Sequence, residues 1–214
     1  MSKTSPSIEW REARRRSARD AIVDAAWDLV RQEGLAALSL RDLAKRAGIT
    51  TPTVYAYFDS KNAIYDAMFG RAATECAIRM TEPYEVDDPR ARLVAGVRRF
   101  VDFCTSDVAR YQLLFQRTIP GFEPGPESFA PAVASLESTR QRLAEVGVTE
   151  SRHLDMWTAW ITGLVDQQIS NDPGGDRWTR LIDDFVSMFL AHCQPPGKPA
   201  GRAKPRPPTK GARA

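Results

Sequence analysis

Apolar residues in this chain recur at the three-to-four-residue spacing of an α-helix almost from end to end. No run of alternating β-branched residues is long enough to make a sheet. The expected fold class is therefore all-α, with about nine helices. Over residues 12–32, Ile22, Ala26, Leu29 and Val30 fall at i, i+4, i+7 and i+8, and Gly34 ends the pattern. Short helices are expected after Ser39 and after Thr50, and a longer one from Asp59 or Ser60. Further helices are expected over 90–104, 107–117, 132–146, 153–171 and 176–193. Residues 118–131 (TIPGFEPGPESFAP) are rich enough in Pro and Gly to read as a loop.

Breaks in this pattern divide the 214 residues. Residues 1–12 read as a disordered arm and 13–80 as a small N-terminal domain including a linking helix. The segment 81–89 (TEPYEVDDP), with two prolines and four acids, marks a boundary, and 81–193 form a larger helical domain. Residues 194–214 carry no large apolar side chain, cannot bury anything and are expected to be a disordered, basic, Pro-rich tail.

Charge follows the same division. Lys and Arg outnumber Asp and Glu by 13 to 10 over residues 1–80 and by 6 to 0 over 194–214, whereas acids lead by 17 to 11 over 81–193. A polyanion should meet an end of the chain rather than its middle. Arg11, Arg14, Arg15, Arg16 and Arg19 concentrate the N-terminal charge, either as an arm that touches DNA or as the solvated start of the first helix. No apolar run is long enough for a membrane span, and the start lacks a secretory signal, so a cytoplasmic protein without a membrane partner is expected. Cys76, Cys104 and Cys193 are odd in number and far apart, which suits small hydrophobes in a reducing compartment better than disulfides. His153 and His192 stand in no ligand-spaced motif and read as surface or capping residues. The chain has no phosphate loop, cysteine pair or nucleophile elbow. An enzyme is disfavoured, and neither a metal nor a cofactor is expected.

The informative stretch is 38–61, LSLRDLAKRAGITTPTVYAYFDSK. Ser39 can accept the backbone N–H of Asp42 while Asp42 reaches back, a capping box that starts a helix at Leu40. Leu43, Ala44 and Ala47 face inward. Gly48 supplies the positive φ that ends the helix, and Ile49 fills the corner. Thr50 is an N-cap and Pro52 suits a first turn, so a second helix restarts after a tight turn. This is a helix-turn-helix, whose second helix can lie in a DNA major groove. Val54 and Phe58 anchor it. Thr51, Thr53, Tyr55 and Tyr57 occupy its other face, offering hydroxyls and methyls to base edges and phosphates. Lys61 can reach a phosphate from the next helix, and Arg41 and Lys45 can grip the backbone from the preceding one.

The spaced residues Ala47-Gly48-Ile49-Thr50, Thr53-Val54-Tyr55-Ala56-Tyr57-Phe58 and Lys61 resemble the DNA-binding domain of the TetR family of bacterial regulators, as do Ala25, Ala26 and Gly34 upstream. The likeness covers about residues 15–65. It implies a sequence-specific transcriptional regulator that binds a pseudo-palindromic double-stranded operator as a homodimer and, by the family's usual habit, represses until a small-molecule effector releases it. The rival is a ligand-independent DNA-binding or protein-interaction module. Carried over, the family implies DNA contacts from Thr50, Thr51, Pro52, Thr53, Tyr55, Tyr57 and Lys61; Ser39 and Arg41 join them from the residue reading.

In TetR-like proteins the last two helices pair with those of a second subunit. The resemblance thus suggests Leu164, Trp178, Ile182, Phe185 and Phe189 for the dimer interface. Candidate effector-cavity residues are Phe100, Phe103, Tyr111, Phe115, Trp157 and Trp160, with Arg117 or Gln167 as polar fixtures and the loop around Phe122 as a gate. Aromatic residues at helical spacing also serve as ordinary core.

Overall fold

A computed structural model describes residues 6–193, with side chains from residue 10 onward. The expected tail at 194–214 and the first five residues of the expected arm lie outside the described residues. Among the described residues there are nine α-helices, two short 3-10 turns and no strand.

The helix-turn-helix unit is built by local chemistry. α1 (Pro6–Glu33) is followed by a 3-10 turn at Leu35–Ala37, then by α2 (Leu40–Arg46) and α3 (Thr51–Tyr55). Ser39 caps α2 by accepting Asp42 N–H at 3.1 Å, while its hydroxyl donates to the Asp42 carboxylate at 2.5 Å. The reciprocal bond of the expected capping box is thus made between side chains. At the far end of α2, Gly48 stands at φ 68°, with Gly48 N–H bonded to Lys45 O at 3.3 Å and Ile49 N–H to Ala44 O at 3.0 Å. That pair of bonds is the Schellman stop, which needs a left-handed residue at its corner. Thr50 then caps α3 by accepting Thr53 N–H. Val54 and Phe58 are buried with Ile22, Leu29 and Val30 of α1 and Leu43 of α2.

α4 (Lys61–Thr81) joins the two halves by belonging to both cores. Its Ile64, Tyr65, Met68 and Phe69 close the N-terminal core, and Cys76 and Met80 enter the second. Tyr65 donates to Leu35 O, and burial pushes its hydroxyl up to about 12. Around the far half of α4 stand α5 (Pro89–Thr105), α6 (Val108–Phe115), α7 (Pro126–Glu145), α8 (Ser151–Asn171) and α9 (Ile182–Cys193). Asp88 caps α5 and Asp107 caps α6 through their carboxylates. Cys76 and Cys104 are buried and Cys193 half-buried, all as free thiols; burial raises the pKa of each.

Four expectations are corrected. α1 starts at Pro6 rather than near residue 12, so most of the expected arm is helix. Apolar periodicity marks burial, and residues 10–17 are exposed; their Arg, Ala and Glu content sustains a helix by propensity alone. α7 starts inside the expected 118–131 loop, with Pro126 in its first turn and Pro131 retained within the helix. An interior proline costs about 3 kcal/mol, here offset by the packing of α7 along α4 and by the capping described below. The last helix is not continuous from 176: a 3-10 turn at Thr179–Leu181 precedes α9. Buried Gln168 imposes this turn. Its amide donates to Asp172 O and Gly175 O, and its oxygen accepts Trp178 and Thr179 N–H. Finally, His153 is buried rather than on the surface, edge-on to Phe189 and with no partner for Nε2.

Candidate functional site

The helix-turn-helix presents a polar surface whose members differ in freedom. Pro52 and Tyr55 are exposed, Tyr55 to 52 %. Thr51, Thr53, Tyr57 and Lys61 are half-buried, and Thr50 and Arg41 are exposed. The hydroxyls of Thr50 and Thr53 are 2.8 Å apart and hydrogen-bond one another, so each holds the other at the helix start. Tyr57 packs against the N-terminal core while its carbonyl accepts Arg19 Nη1 at 2.7 Å. Lys61 Nζ lies 5.5 Å from the Tyr65 ring centre at the first turn of α4. Half-buried Ser39 is occupied in capping α2.

The structure thus brings Thr50, Thr51, Pro52, Thr53, Tyr55 and Tyr57 together on and around one five-residue helix, with Lys61 following. Only Val54 and Phe58 of that stretch are fully buried. Arg19 is a residue that the sequence reading placed only among a charged group. Besides bonding Tyr57 O, its guanidinium lies 4.3 Å from the Phe58 ring centre, fixing the link after α3 to α1. Four-residue spacing within one helix could not signal a contact spanning 38 residues.

The second region is a cavity of about 490 Å³ lined by α4 to α8. Of the candidates, Phe100, Phe115 and Trp157 line it. The others do not. Phe103 is buried against the Arg110 guanidinium. Tyr111 donates to Asp166 at 2.9 Å and binds α6 to α8; burial, reinforced by that carboxylate, raises its pKa. Trp160 packs on Phe185 and Phe189. Arg117 is exposed and paired with Glu123, and Gln167 is exposed and bonded to Asn171. One residue on, Gln168 turns inward, because successive residues on a helix diverge by about 100°. Phe122 sits 5.7 Å from Tyr65 on the N-terminal core, away from the cavity. The wall instead includes Phe129, which the reading of 118–131 as a loop leaves out, and Arg92 and Arg142, which the sequence reading did not single out.

On the expected dimer surface, Leu164, Trp178 and Phe185 are half-buried. Ile182 and Phe189 are 1 % and 0 % exposed, inside their own subunit's core, and cannot meet a second subunit. They fall with Val186 on the face of α9 that packs inward, whereas Leu181 and Met188 point out. No helix among the described residues is long and apolar enough to cross a membrane, and no group of three or more metal-binding side chains occurs among them.

Residues 22–68 match the family described as "Bacterial regulatory proteins, tetR family". An uncharacterised HTH-type transcriptional regulator of Mycobacterium tuberculosis is 34% identical over 201 residues, covering 92% of this chain and 98% of its own length. The tetracycline repressor protein class A from transposon 1721 of Escherichia coli is 25% identical over 80% of this chain and 76% of its own. Among solved structures, the transcriptional regulator FadR from Bacillus subtilis, in complex with stearoyl-CoA, superposes with a TM-score of 0.65 at 19% identity, covering 80% of this chain and 97% of that one. With its helix-turn-helix and an all-helical body, the chain belongs to the TetR family of DNA-binding transcriptional regulators.

Proposed function

We propose that this regulator is a cytoplasmic homodimeric repressor that holds a pseudo-palindromic operator through two copies of α3 and lets go when a small molecule occupies the cavity. The observation that carries the DNA half is the division of α3: Val54 fully buried, and Pro52 and Tyr55 left to solvent. Thr50, Thr51, Pro52 and Thr53 meet base edges and phosphates, Tyr55, Tyr57 and Lys61 meet phosphates, and Ser39 and Arg41 approach the backbone from α2. The effector half rests on a cavity whose volume falls in the range of small-molecule sites. FadR of Bacillus subtilis, of similar fold, holds stearoyl-CoA, and the tetracycline repressor relative is a repressor by name. Release follows if the effector prefers a tilted arrangement of α4, since α4 carries residues of both cores and would change the separation of the two α3 helices.

Binding to DNA from upstream of the protein's own gene, measured by fluorescence anisotropy at fixed salt, tests this. Tyr55→Phe should weaken binding by about 1 kcal/mol per subunit, the worth of one hydrogen bond, without altering folding stability. Lys61→Ala should weaken binding to all sequences and lower the salt slope by about 1 per subunit. Equal affinity for upstream and scrambled DNA would refute the operator reading.

A further inference from the structure

The cavity wall is polarised. Two of its helices run arginine to phenylalanine: on α5 Arg92 and Phe100, and on α7 Arg142 and Phe129. At 1.5 Å per residue, these pairs stand about 12 and about 20 Å apart along their helices. The two arginines share one end. Arg92 pairs with Glu145 at 3.1 Å, and Glu145 lies one turn beyond Arg142. At the other end Phe100 and Phe115 meet edge to face, 5.3 Å between ring centres. No Asp or Glu lines the cavity among the described residues.

Donor supply is as lopsided as charge. Thr139, Thr158 and Thr162 line the wall, but each hydroxyl already donates to a carbonyl of its own helix. The Ser135 hydroxyl and the Trp157 indole N–H also line the wall, uncharged, and the charged donors with spare N–H groups are the arginines. Arg92 Nε is buried without a partner. Arg142 uses only Nη1, which donates to Met80 O and to Tyr84 Oη, both at 2.7 Å. A buried N–H without a partner, here on a half-buried cation, is costly until an acceptor arrives.

From this we infer that the effector is an amphipathic monocarboxylate, its carboxylate received by Arg92 and Arg142 and its apolar body running between α5 and α7 toward Phe100, Phe115 and Phe129. One charge is favoured over two. Glu145 already offsets Arg92, which leaves about one uncompensated positive charge at that end, against one negative charge on a carboxylate and nearly two on a phosphate monoester. The inference rests on the reading of this cavity as the effector site.

Calorimetric titration of the full-length protein with decanoate, decanol, decyl phosphate and decyltrimethylammonium tests it. Decanoate should bind at least tenfold more tightly than decanol and no more weakly than decyl phosphate, and the cation should not bind. Arg92→Gln and Arg142→Gln should each weaken decanoate about tenfold and leave decanol unchanged, the alcohol reporting that the cavity is intact where Arg142 also braces Met80. The assignment is overturned if decanol equals decanoate, if decyl phosphate or the cation binds more tightly, if neither substitution alters the preference, or if no carboxylate from hexanoate to hexadecanoate binds. Operator binding, measured alongside, separates the two readings. A protein that shifts its upstream DNA but ignores every carboxylate sinks this inference alone; one that binds decanoate but no DNA sinks the regulatory reading and leaves the pocket standing.

Discussion

Gly48 shows how much of the DNA-reading unit hangs on one backbone angle. At φ 68°, it closes the α2 stop and so sets the angle at which α3 leaves. A methyl added there would meet nothing within 4 Å, so substitution carries only a conformational cost. Gly48→Ala should therefore lower stability by about 1 kcal/mol, read as a shift in the urea midpoint, and Gly48→Asn by less, because Asn enters the left-handed region more readily. Equal stability of Ala and Gly at this position would mean that the turn relaxes to another form. This residue was legible from sequence because everything it does is done within five positions. Arg19 and Gln168 were not, since their partners lie far along the chain or depend on which side of a helix faces in.

Helix α7 gives the opposite case. The composition of its first six residues argues for a loop, and Gly125, its N-cap, has no side chain with which to cap it. The cap comes from α4 instead: Asp66 accepts Gly125 N–H and Ser128 Oγ–H, each at 2.7 Å. One turn on, Gly70 lets the two helices approach, for a methyl there would lie 3.2 Å from Ser128 Cβ. A helix of the DNA-binding half thus holds the start of a helix that walls the cavity. Loss of a charged cap costs roughly 1–2 kcal/mol. We expect Asp66→Ala to speed amide exchange over the first turn of α7 by about tenfold or more while sparing the end near Arg142, and to blunt the response of operator affinity to effector. Unchanged protection at Ser128 and Phe129 would show that packing alone secures the helix. The helix-turn-helix, with its own caps and stop, could be read from local residues, as could α7 from residue 132 on; the start of α7 is fixed by a contact across 59 positions, which no window of sequence contains.

For the molecule as a whole, the decisive quantity is how much DNA one subunit can read. A five-residue α3 reaches only a few base pairs, each worth about 1–3 kcal/mol of discrimination. Two copies joined by a two-fold axis double that and fix the half-sites about 34–36 Å apart. The surface available for pairing is narrower than the apolar pattern of the last two helices suggests, since Ile182, Val186 and Phe189 are spent on the subunit's own core. What remains outward is Trp160 and Leu164 of α8, Leu181 just before α9, and Phe185 and Met188 on α9, with Met188 61 % exposed. If these residues form the two-fold contact, Leu164→Glu with Met188→Glu should place four like charges around the axis and yield a folded monomer in sedimentation velocity. Its operator affinity should fall by at least a hundredfold, while each half-site is still touched by an intact α3. Ile182→Glu should instead unfold the subunit, which a thermal melt separates from dissociation. A double variant that stays dimeric would move the contact elsewhere, the exposed stripe of Phe129, Val133 and Leu136 on α7 being another apolar surface of the body. That outcome would carry a further consequence, because Phe129 and Leu136 also line the cavity: partner and effector would then share a wall, and dimerisation itself would respond to the ligand.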